Sequence, residues 1–200
     1  TSAVGIRELA VLLRAIAHCP KPVVARVAGA ARGGGIGILA CCDIVVAART
    51  ATFAFSEVRV GLIPAIISVP VMARLAPAAV RELMLTGEVF DAARARSAGL
   101  VGRVVDPGAL DAGVRRVVDS LYAGGPGALA ALKELLSGRL DDSLARYAAV
   151  ARLSAQQAAT AEASEGAQAF ADRRPPAWAG RTAPRPVAQP RSATTSRRTP

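Results

Sequence analysis

The chain has 200 residues, a hydrophobic fraction of 52% and a formal net charge of +10. This length suits one domain with a full core, and no apolar run approaches the ~20 residues that span a bilayer. Residues 171–200 hold seven arginines and one acid, so the rest of the chain is only mildly basic. Because aromatic residues make up only 4%, nucleic-acid binding by the body is not supported. We expect a cytoplasmic protein without a nucleic-acid or membrane partner.

The three cysteines give no sign of a disulfide framework or a zinc site. Cys41 and Cys42 are adjacent, Cys19 is distant, and His18 is the only histidine. Without a Cys-x-x-Cys pair or a Cys/His cluster, small buried thiols are the simpler interpretation. We expect no metal and no redox cofactor.

Hydrophobic periodicity and proline or glycine punctuation define the elements of the first half of the chain. Apolar residues at i, i+3, i+4 and i+7 predict the first helix, and continuous apolar runs predict strands that are buried on both faces. In chain order the predictions are a helix over 4–17, a strand over 23–27, a glycine-rich turn over 29–35, a helix over 36–42, strands over 44–48 and 52–55, and a turn over 61–64.

The second half is richer in helix. Asp91 is a good N-cap and Gly99 a good helix stop. The predictions are helices over 66–76, 78–85, 92–98, 108–123 and 128–136, a strand over 101–105, a break over 124–127, and a last helical stretch over 143–170 that breaks near 164–166. Residues 179–200 are too poor in large apolar side chains to offset their ordering entropy, so we expect disorder there. The whole is an α/β protein with a helical C-terminal third.

One glycine pattern formally matches a dinucleotide-binding fingerprint. The run from Gly35 to Ala40 fits G-x-G-x-x-A, and Glu57 lies about 20 residues further on. The context is poor, because seven residues separate the strand end at Val27 from Gly35, and no crossover helix follows Glu57. We therefore disfavour dinucleotide binding.

Gly33, Gly34 and Gly35 form a corner that leads directly into a helix, and we call these three residues the glycine corner. Their backbone N–H groups are not covered by side chains and lie at the positive end of the helix dipole. Such a corner binds a phosphate or stabilises a developing oxyanion. Tight packing of the backbone against a sheet is the alternative, and the corner alone does not decide between them.

Glu57 is the second candidate for chemistry. It follows a predicted strand in an apolar neighbourhood, where a carboxylate is costly unless it is paired or functional. Positioned carboxyl groups serve as general acids and bases. A salt bridge to Arg59 or another arginine is the structural alternative.

In order along the chain, these segments resemble landmarks of the crotonase (enoyl-CoA hydratase/isomerase) family. The segments that carry the resemblance are 21–29, 33–35, 42–47, 53–57, 61–64, 85–88, 91–93, 98–101, 165–166, 169–170 and 173–178. The amino-acid sequence around Glu57 most resembles that of methylglutaconyl-CoA-hydratase-like members of the family. The resemblance extends over residues 1–178.

The resemblance implies a right-handed β-β-α spiral whose N-terminal strands are missing, so that the chain is truncated at its N-terminus. It divides the chain into a partial spiral core over 1–138, a C-terminal helical oligomerisation region over 139–178, and the tail over 179–200. Family members form trimers or pairs of trimers, which implies a homotrimer or dimer of trimers here.

The resemblance also implies an activity. Family members hold the carbonyl oxygen of an acyl-CoA thioester between two backbone N–H groups, of which Gly34 is one by position. Hydratases of the family usually carry two glutamates. The second matches Glu57 and the first matches Gly37, which has no side chain. An enoyl-CoA hydratase, an enoyl-CoA isomerase with one glutamate, and a non-catalytic subunit all remain open.

Further contacts to the substrate are implied by position in the family's motifs. The backbone N–H of Ala65 is a candidate for orienting a water. Coenzyme A would arrive as part of the substrate, and no metal site is implied. The implied substrate-binding residues are Arg32, Gly33, Gly37, Ser56, Leu62 and Ala65.

Overall fold

The chain folds as strands that alternate with helices. A computed structural model describes residues 3–60, 62–137, 156 and 159–178. The strands are β1 (Val24–Val27), β2 (Ala31–Arg32), β3 (Ile44–Ala48), β4 (Thr52–Ala54), β5 (Phe90–Asp91) and β6 (Arg103–Val105). The described helices are α1 (Ala3–Ala17), α2 (Gly34–Cys41), α3 (Ala65–Arg74), α4 (Pro77–Thr86), α5 (Ala92–Ser97), α6 (Leu110–Tyr122), α7 (Pro126–Ser137) and α8 (Ala161–Ala171). Short 3-10 turns occupy Ser56–Val60 and Pro107–Ala109.

The strands form two three-stranded sheets, and the first four strands alternate between them. The first sheet is parallel throughout, in the order β1-β3-β6. In the second, β2 pairs with β4 in parallel, and β5 pairs with β4 in antiparallel orientation. The chain therefore passes through a strand of each sheet and then a helix, first in β1-β2-α2 and again in β3-β4-α3. This is the β-β-α repeat that the resemblance implies.

The core lies where α2 packs between α1 and α3. Four of its eight residues, Ile36, Gly37, Leu39 and Ala40, are buried, and it carries no charged side chain. A helix without a polar face is stable only when it is surrounded, and this fixes α2 inside the molecule. Below it, Phe90 stacks on Phe53 and Phe55 at ring-centroid distances of 5.6 Å and 6.1 Å.

Most predicted helices and strands are confirmed, with ends displaced by at most two residues. Asp91 caps α5 as expected, since its Oδ1 accepts a 2.7 Å hydrogen bond from the Arg94 N–H. Gly99 has φ +94°, as a helix stop requires. Strands β2 and β5 were not predicted, because two residues are too short to carry a periodic pattern.

The prediction of a break near 164–166 is wrong, because α8 runs through these residues. Thr160 caps this helix by accepting a 3.1 Å hydrogen bond from the Ala163 N–H. Gly166 serves packing instead of a break, since a Cβ placed on it would lie 3.2 Å from Cη2 of Trp178. The rest of the predicted helical stretch before residue 156, and the predicted tail over 179–200, lie outside the described residues.

The thiols follow the expectation of burial only in part. Cys42 is buried, whereas Cys19 and Cys41 are half-buried, and all three are free. Burial raises the pKa of the Cys42 thiol, and it raises the pKa of the Cys41 thiol together with the neighbouring Cys42. In the described part of the chain, no helix is both long and apolar enough to cross a bilayer.

Two half-buried charged residues anchor α7. Lys133, whose side chain is 9% exposed, pairs with Asp43 at 2.7 Å and donates to the backbone carbonyls of Ile16 and Lys21. Glu162 of α8 accepts hydrogen bonds from the N–H groups of Gly127 and Ala128, both at 2.8 Å. These two amides belong to the first turn of α7, which has no intrahelical acceptor for them. A side chain of α8 thus caps α7.

The segment after α8 folds back onto that helix. Arg174 pairs with Glu165 at 2.7 Å, and Glu165 also accepts a hydrogen bond from the Ala177 N–H. The pKa of Glu165 is lowered to about 2, chiefly by the hydrogen bond from Arg174 and next by the hydrogen bond from the Ala177 N–H. The Trp178 indole then donates to the Ala123 carbonyl at the end of α6. The described C-terminal part is therefore attached at the junction between α6 and α7.

Replacing Glu162 by alanine removes the cap of α7. Loss of a cap costs about 1 kcal/mol, so the free energy of unfolding measured with urea is expected to fall by about that amount. Glu134, an exposed acid on the same helix, provides the matched control, and Glu134→Ala is expected to have a smaller effect. Equal stability losses in the two variants would contradict the capping role.

Candidate active site

The pairing of β2 with β4 brings the glycine corner and Glu57 together. The two strands are parallel, with Arg32 opposite Ala54. Their continuations therefore leave the sheet side by side, β2 into Gly33 and β4 into the Ser56–Val60 turn. The Gly33 N–H extends the pairing by donating to the Ala54 carbonyl at 3.3 Å. Two regions 24 residues apart in sequence thus meet at one sheet edge.

The carboxyl group of Glu57 lies against Gly33. A Cβ placed on Gly33 would lie 3.0 Å from Oε1 of Glu57 and 3.4 Å from its carboxyl carbon. Gly33 also has φ +48°, in the left-handed region that side chains disfavour. Both the backbone conformation and the close approach of Glu57 therefore require glycine at this position.

One oxygen of Glu57 has no partner. Oε2 is buried and accepts no hydrogen bond from the described residues, and it is the only such side-chain atom found among them. Within the same part of the chain Glu57 forms no ion pair, so the salt bridge to Arg59 is not formed. An unsatisfied buried acceptor costs about 1–3 kcal/mol. A group kept at this cost is a strong candidate for a role in binding or chemistry.

The amides of the glycine corner supply donors beside that carboxyl group. The Gly33 carbonyl accepts from the N–H groups of Ile36 and Gly37, at 2.9 Å and 3.3 Å, and so begins α2. The N–H groups of Gly34 and Gly35 find no acceptor among residues that the structure describes. They lie at the positive end of α2 and favour a negatively charged oxygen. The site thus combines a carboxylate with free backbone donors.

Leu9 of α1 forms a third side of this corner, a contact that was not predicted from the sequence. A Cβ placed on Gly34 would lie 3.5 Å from Cδ2 of Leu9. The helical pattern identified Leu9 as part of an apolar face, but the pattern does not show which partner this face covers. Leu9 gives the corner an apolar wall.

Gly37 lies one helical turn after the glycine corner on α2, and α3 packs directly against it. A Cβ placed on it would lie 2.4 Å from Cγ2 and 2.9 Å from Cβ of Ile67, and 3.5 Å from Cδ2 of Leu13. No side chain fits there unless Ile67 moves. The position that matches the first glutamate of hydratases therefore has neither a carboxylate nor space for one.

The other predicted contact residues occupy varied positions. The Arg32 guanidinium donates to Ala31 O, Thr52 O and Thr52 Oγ1 and so ties β2 to β4. Ser56 is half-buried beside Glu57, and Leu62 is 53% exposed. The Ala65 N–H donates to the Ile63 carbonyl at 2.9 Å, so it is already engaged. The substrate contacts of these residues remain predictions.

No metal site accompanies this arrangement in the part of the chain that is described, since nowhere there do three or more His, Cys, Asp or Glu side chains gather. The groups that the fold does bring together at the corner are one carboxyl group and backbone amides.

Comparison with known proteins identifies the family. The model of the enoyl-CoA hydratase/isomerase family matches residues 3–181. The chain belongs to this family. It is 36% identical over 169 residues to the carnitinyl-CoA dehydratase of Citrobacter koseri, which covers 80% of this chain.

Solved structures share the fold. An enoyl-CoA hydratase from Shewanella pealeana superposes with a TM-score of 0.80 at 36% identity, over 86% of this chain and 65% of that one. The enoyl-CoA hydratase of Mycobacterium smegmatis gives a TM-score of 0.81 at 33% identity, over 89% and 71% of the two chains. The crotonase-like fold that the sequence predicted is thus confirmed. The chain spans 62% to 64% of the length of the first curated relatives that it matches.

A double-mutant cycle tests the closure over Gly37. Gly37→Ala alone is expected to destabilise the protein by about 1–3 kcal/mol, because the added methyl overlaps Ile67. In an Ile67→Ala background the same change is expected to cost clearly less, since the overlapping atoms are gone. The measurement is the free energy of unfolding of all four proteins. Additive losses would show that the two positions are not in contact.

Proposed function

We propose that the protein is an enoyl-CoA hydratase-like lyase, which adds water across the double bond of a 2-enoyl-CoA thioester. The observation that carries this proposal is the buried, unpartnered oxygen of Glu57 beside the free amides of the glycine corner. This reaction needs a carboxylate next to an oxyanion site, and Glu57 lies against Gly33 of the glycine corner.

The role of the corner follows from where charge develops. When water adds at C3, the electron pair of the double bond moves through C2 onto the thioester oxygen and gives an enolate. The Gly34 N–H, aided by the dipole of α2, donates to this oxygen. Such a donor is fixed before the reaction and acts more strongly on the enolate than on the neutral thioester, so it lowers the barrier.

Glu57 carries the proton. Its carboxylate accepts a proton from the attacking water, and the resulting carboxylic acid returns a proton to C2 as the enolate collapses. With the Gly37 position closed by Ile67, one group performs both transfers. Both new bonds then form on the face of the alkene that Glu57 occupies, which makes the addition syn.

The names of the relatives support water chemistry. The Shewanella pealeana protein is called a hydratase and the Citrobacter koseri protein a dehydratase, and these names describe one type of reaction, the addition or removal of water, in its two directions. We further propose that the protein works in the cytoplasm as a homotrimer or dimer of trimers. It would need no metal or other cofactor, because coenzyme A is part of the substrate.

Isomerisation of an enoyl-CoA is the second candidate, and the single carboxylate favours it. A lone Glu57 can remove a proton from C2 of a 3-enoyl-CoA and return it to C4, through a dienolate whose oxygen the Gly34 N–H would hold in the same way. Hydration of crotonyl-CoA removes the absorbance of the conjugated thioester, whereas isomerisation of a 3-enoyl-CoA creates it. If trimers form but neither signal appears, the non-catalytic alternative is favoured.

Replacing Glu57 by glutamine tests the assignment. The amide keeps the shape of the side chain but cannot carry the proton, so kcat for hydration by the full-length protein is expected to fall by about 10²–10⁴-fold. The decrease in absorbance of crotonyl-CoA measures the rate.

Glu134 offers the matched control, because it is an exposed acid on α7 and does not belong to the corner or to the turn that holds Glu57. Glu134→Gln is expected to keep the parent rate. Full activity in Glu57→Gln would refute the role of Glu57, whichever of the two reactions is measured.

A further inference from the structure

A second concave surface lies at the amino-terminal end of β1. It is a cleft of about 670 Å³ between the lead-in to β1, the C-terminal half of α6, the start of α7 and the ring of Trp178. We call it the Trp178 cleft. None of its lining residues belongs to the glycine corner or to the turn that holds Glu57. Its volume is within the roughly 300–1,000 Å³ that small-molecule sites occupy.

The walls of the Trp178 cleft are apolar and held in place. Pro20, Pro22, Val118 and Leu129 line it together with the indole. The Trp178 Nε1–H donates to the Ala123 carbonyl at 3.2 Å, which fixes the plane of the ring. Rigid apolar walls lose little entropy when a ligand binds, and they favour an apolar body over a polar one.

The only charged residue that lines the Trp178 cleft is positive. Lys21 is the only charged residue among those that line it, and no acid does. The Lys21 backbone is held through its carbonyl, which accepts a 3.2 Å hydrogen bond from Lys133 Nζ. No ion pair within the described part of the chain engages the Lys21 ammonium, whereas Lys133 is paired with Asp43. The rim therefore offers a cation that has no ion-pair partner among the described residues, beside an apolar interior.

We propose that the Trp178 cleft binds the anion of a fatty acid. The hydrocarbon chain lies against the proline and indole walls, and the carboxylate lies at Lys21. Apolar walls alone would accept any hydrocarbon, so the cation provides the preference for an anionic head group. An exposed ion pair contributes up to about 1 kcal/mol, which corresponds to a preference of roughly fivefold.

The single tryptophan of the chain makes the test direct. Trp178 is the only tryptophan, so its fluorescence reports on this cleft alone. The protein is titrated with decanoate, decanol and decyltrimethylammonium, each below its micelle-forming concentration. We expect a saturable change in emission with decanoate, about fivefold weaker binding of decanol, and still weaker binding of the cation.

Three variants test whether the binding and the preference for decanoate arise in the Trp178 cleft. Lys21→Gln is expected to make the affinities for decanoate and decanol equal, whereas Arg96→Gln, which removes an exposed cation on α5, keeps the preference. Val118→Phe narrows the cleft and is expected to weaken the binding of both decanoate and decanol. Circular dichroism checks that this variant is folded. A non-saturable response, equal responses to all three amphiphiles, or an unchanged preference in Lys21→Gln would each overturn the proposal.

Discussion

The parallel pairing of β2 with β4 is the constraint on which the site depends. Its register places Arg32 opposite Ala54, and the next residues of both strands then leave the sheet together. Shifting one strand along the other would carry Glu57 away from Gly33 and separate the carboxylate from the amides. The Arg32 guanidinium strengthens this pairing by donating to Thr52 at the start of β4. A contact between two-residue and three-residue strands therefore decides the geometry of the chemistry.

The rest of the fold stabilises this arrangement, which is energetically unfavourable by itself. The carboxylate of Glu57 is partly removed from water without a full set of partners, and the corner exposes amides that a helix start cannot satisfy. The apolar α2, packed between α1 and α3, compensates through burial. Leu9 of α1 lies against Gly34 and Ile67 of α3 lies against Gly37, so contacts that stabilise the core also shape the site. Stability and function are thus linked through one helix.

The sequence predicted most of the fold and the two central groups of the site. The glycine corner and Glu57 were recognisable because their residue types are costly or unusual in their surroundings. The closure of Gly37 by Ile67 and the approach of Leu9 were not, since a periodic pattern identifies a buried face without naming what covers it. The continuous α8 was missed because Gly166 resembles a break until Trp178 is seen to pack on it. Packing partners distant in sequence account for these differences.

The Gly34 amide offers the most direct test of the account. Gly34 is the first residue of α2, where proline is tolerated, so Gly34→Pro removes the donor while the helix remains. Gly34→Ala keeps the donor, and its methyl would meet Leu9 only at an ordinary contact distance of 3.5 Å. The account predicts that kcat for hydration of crotonyl-CoA falls by about 10²–10³-fold in Gly34→Pro relative to Gly34→Ala. Equal rates in the two variants would contradict it.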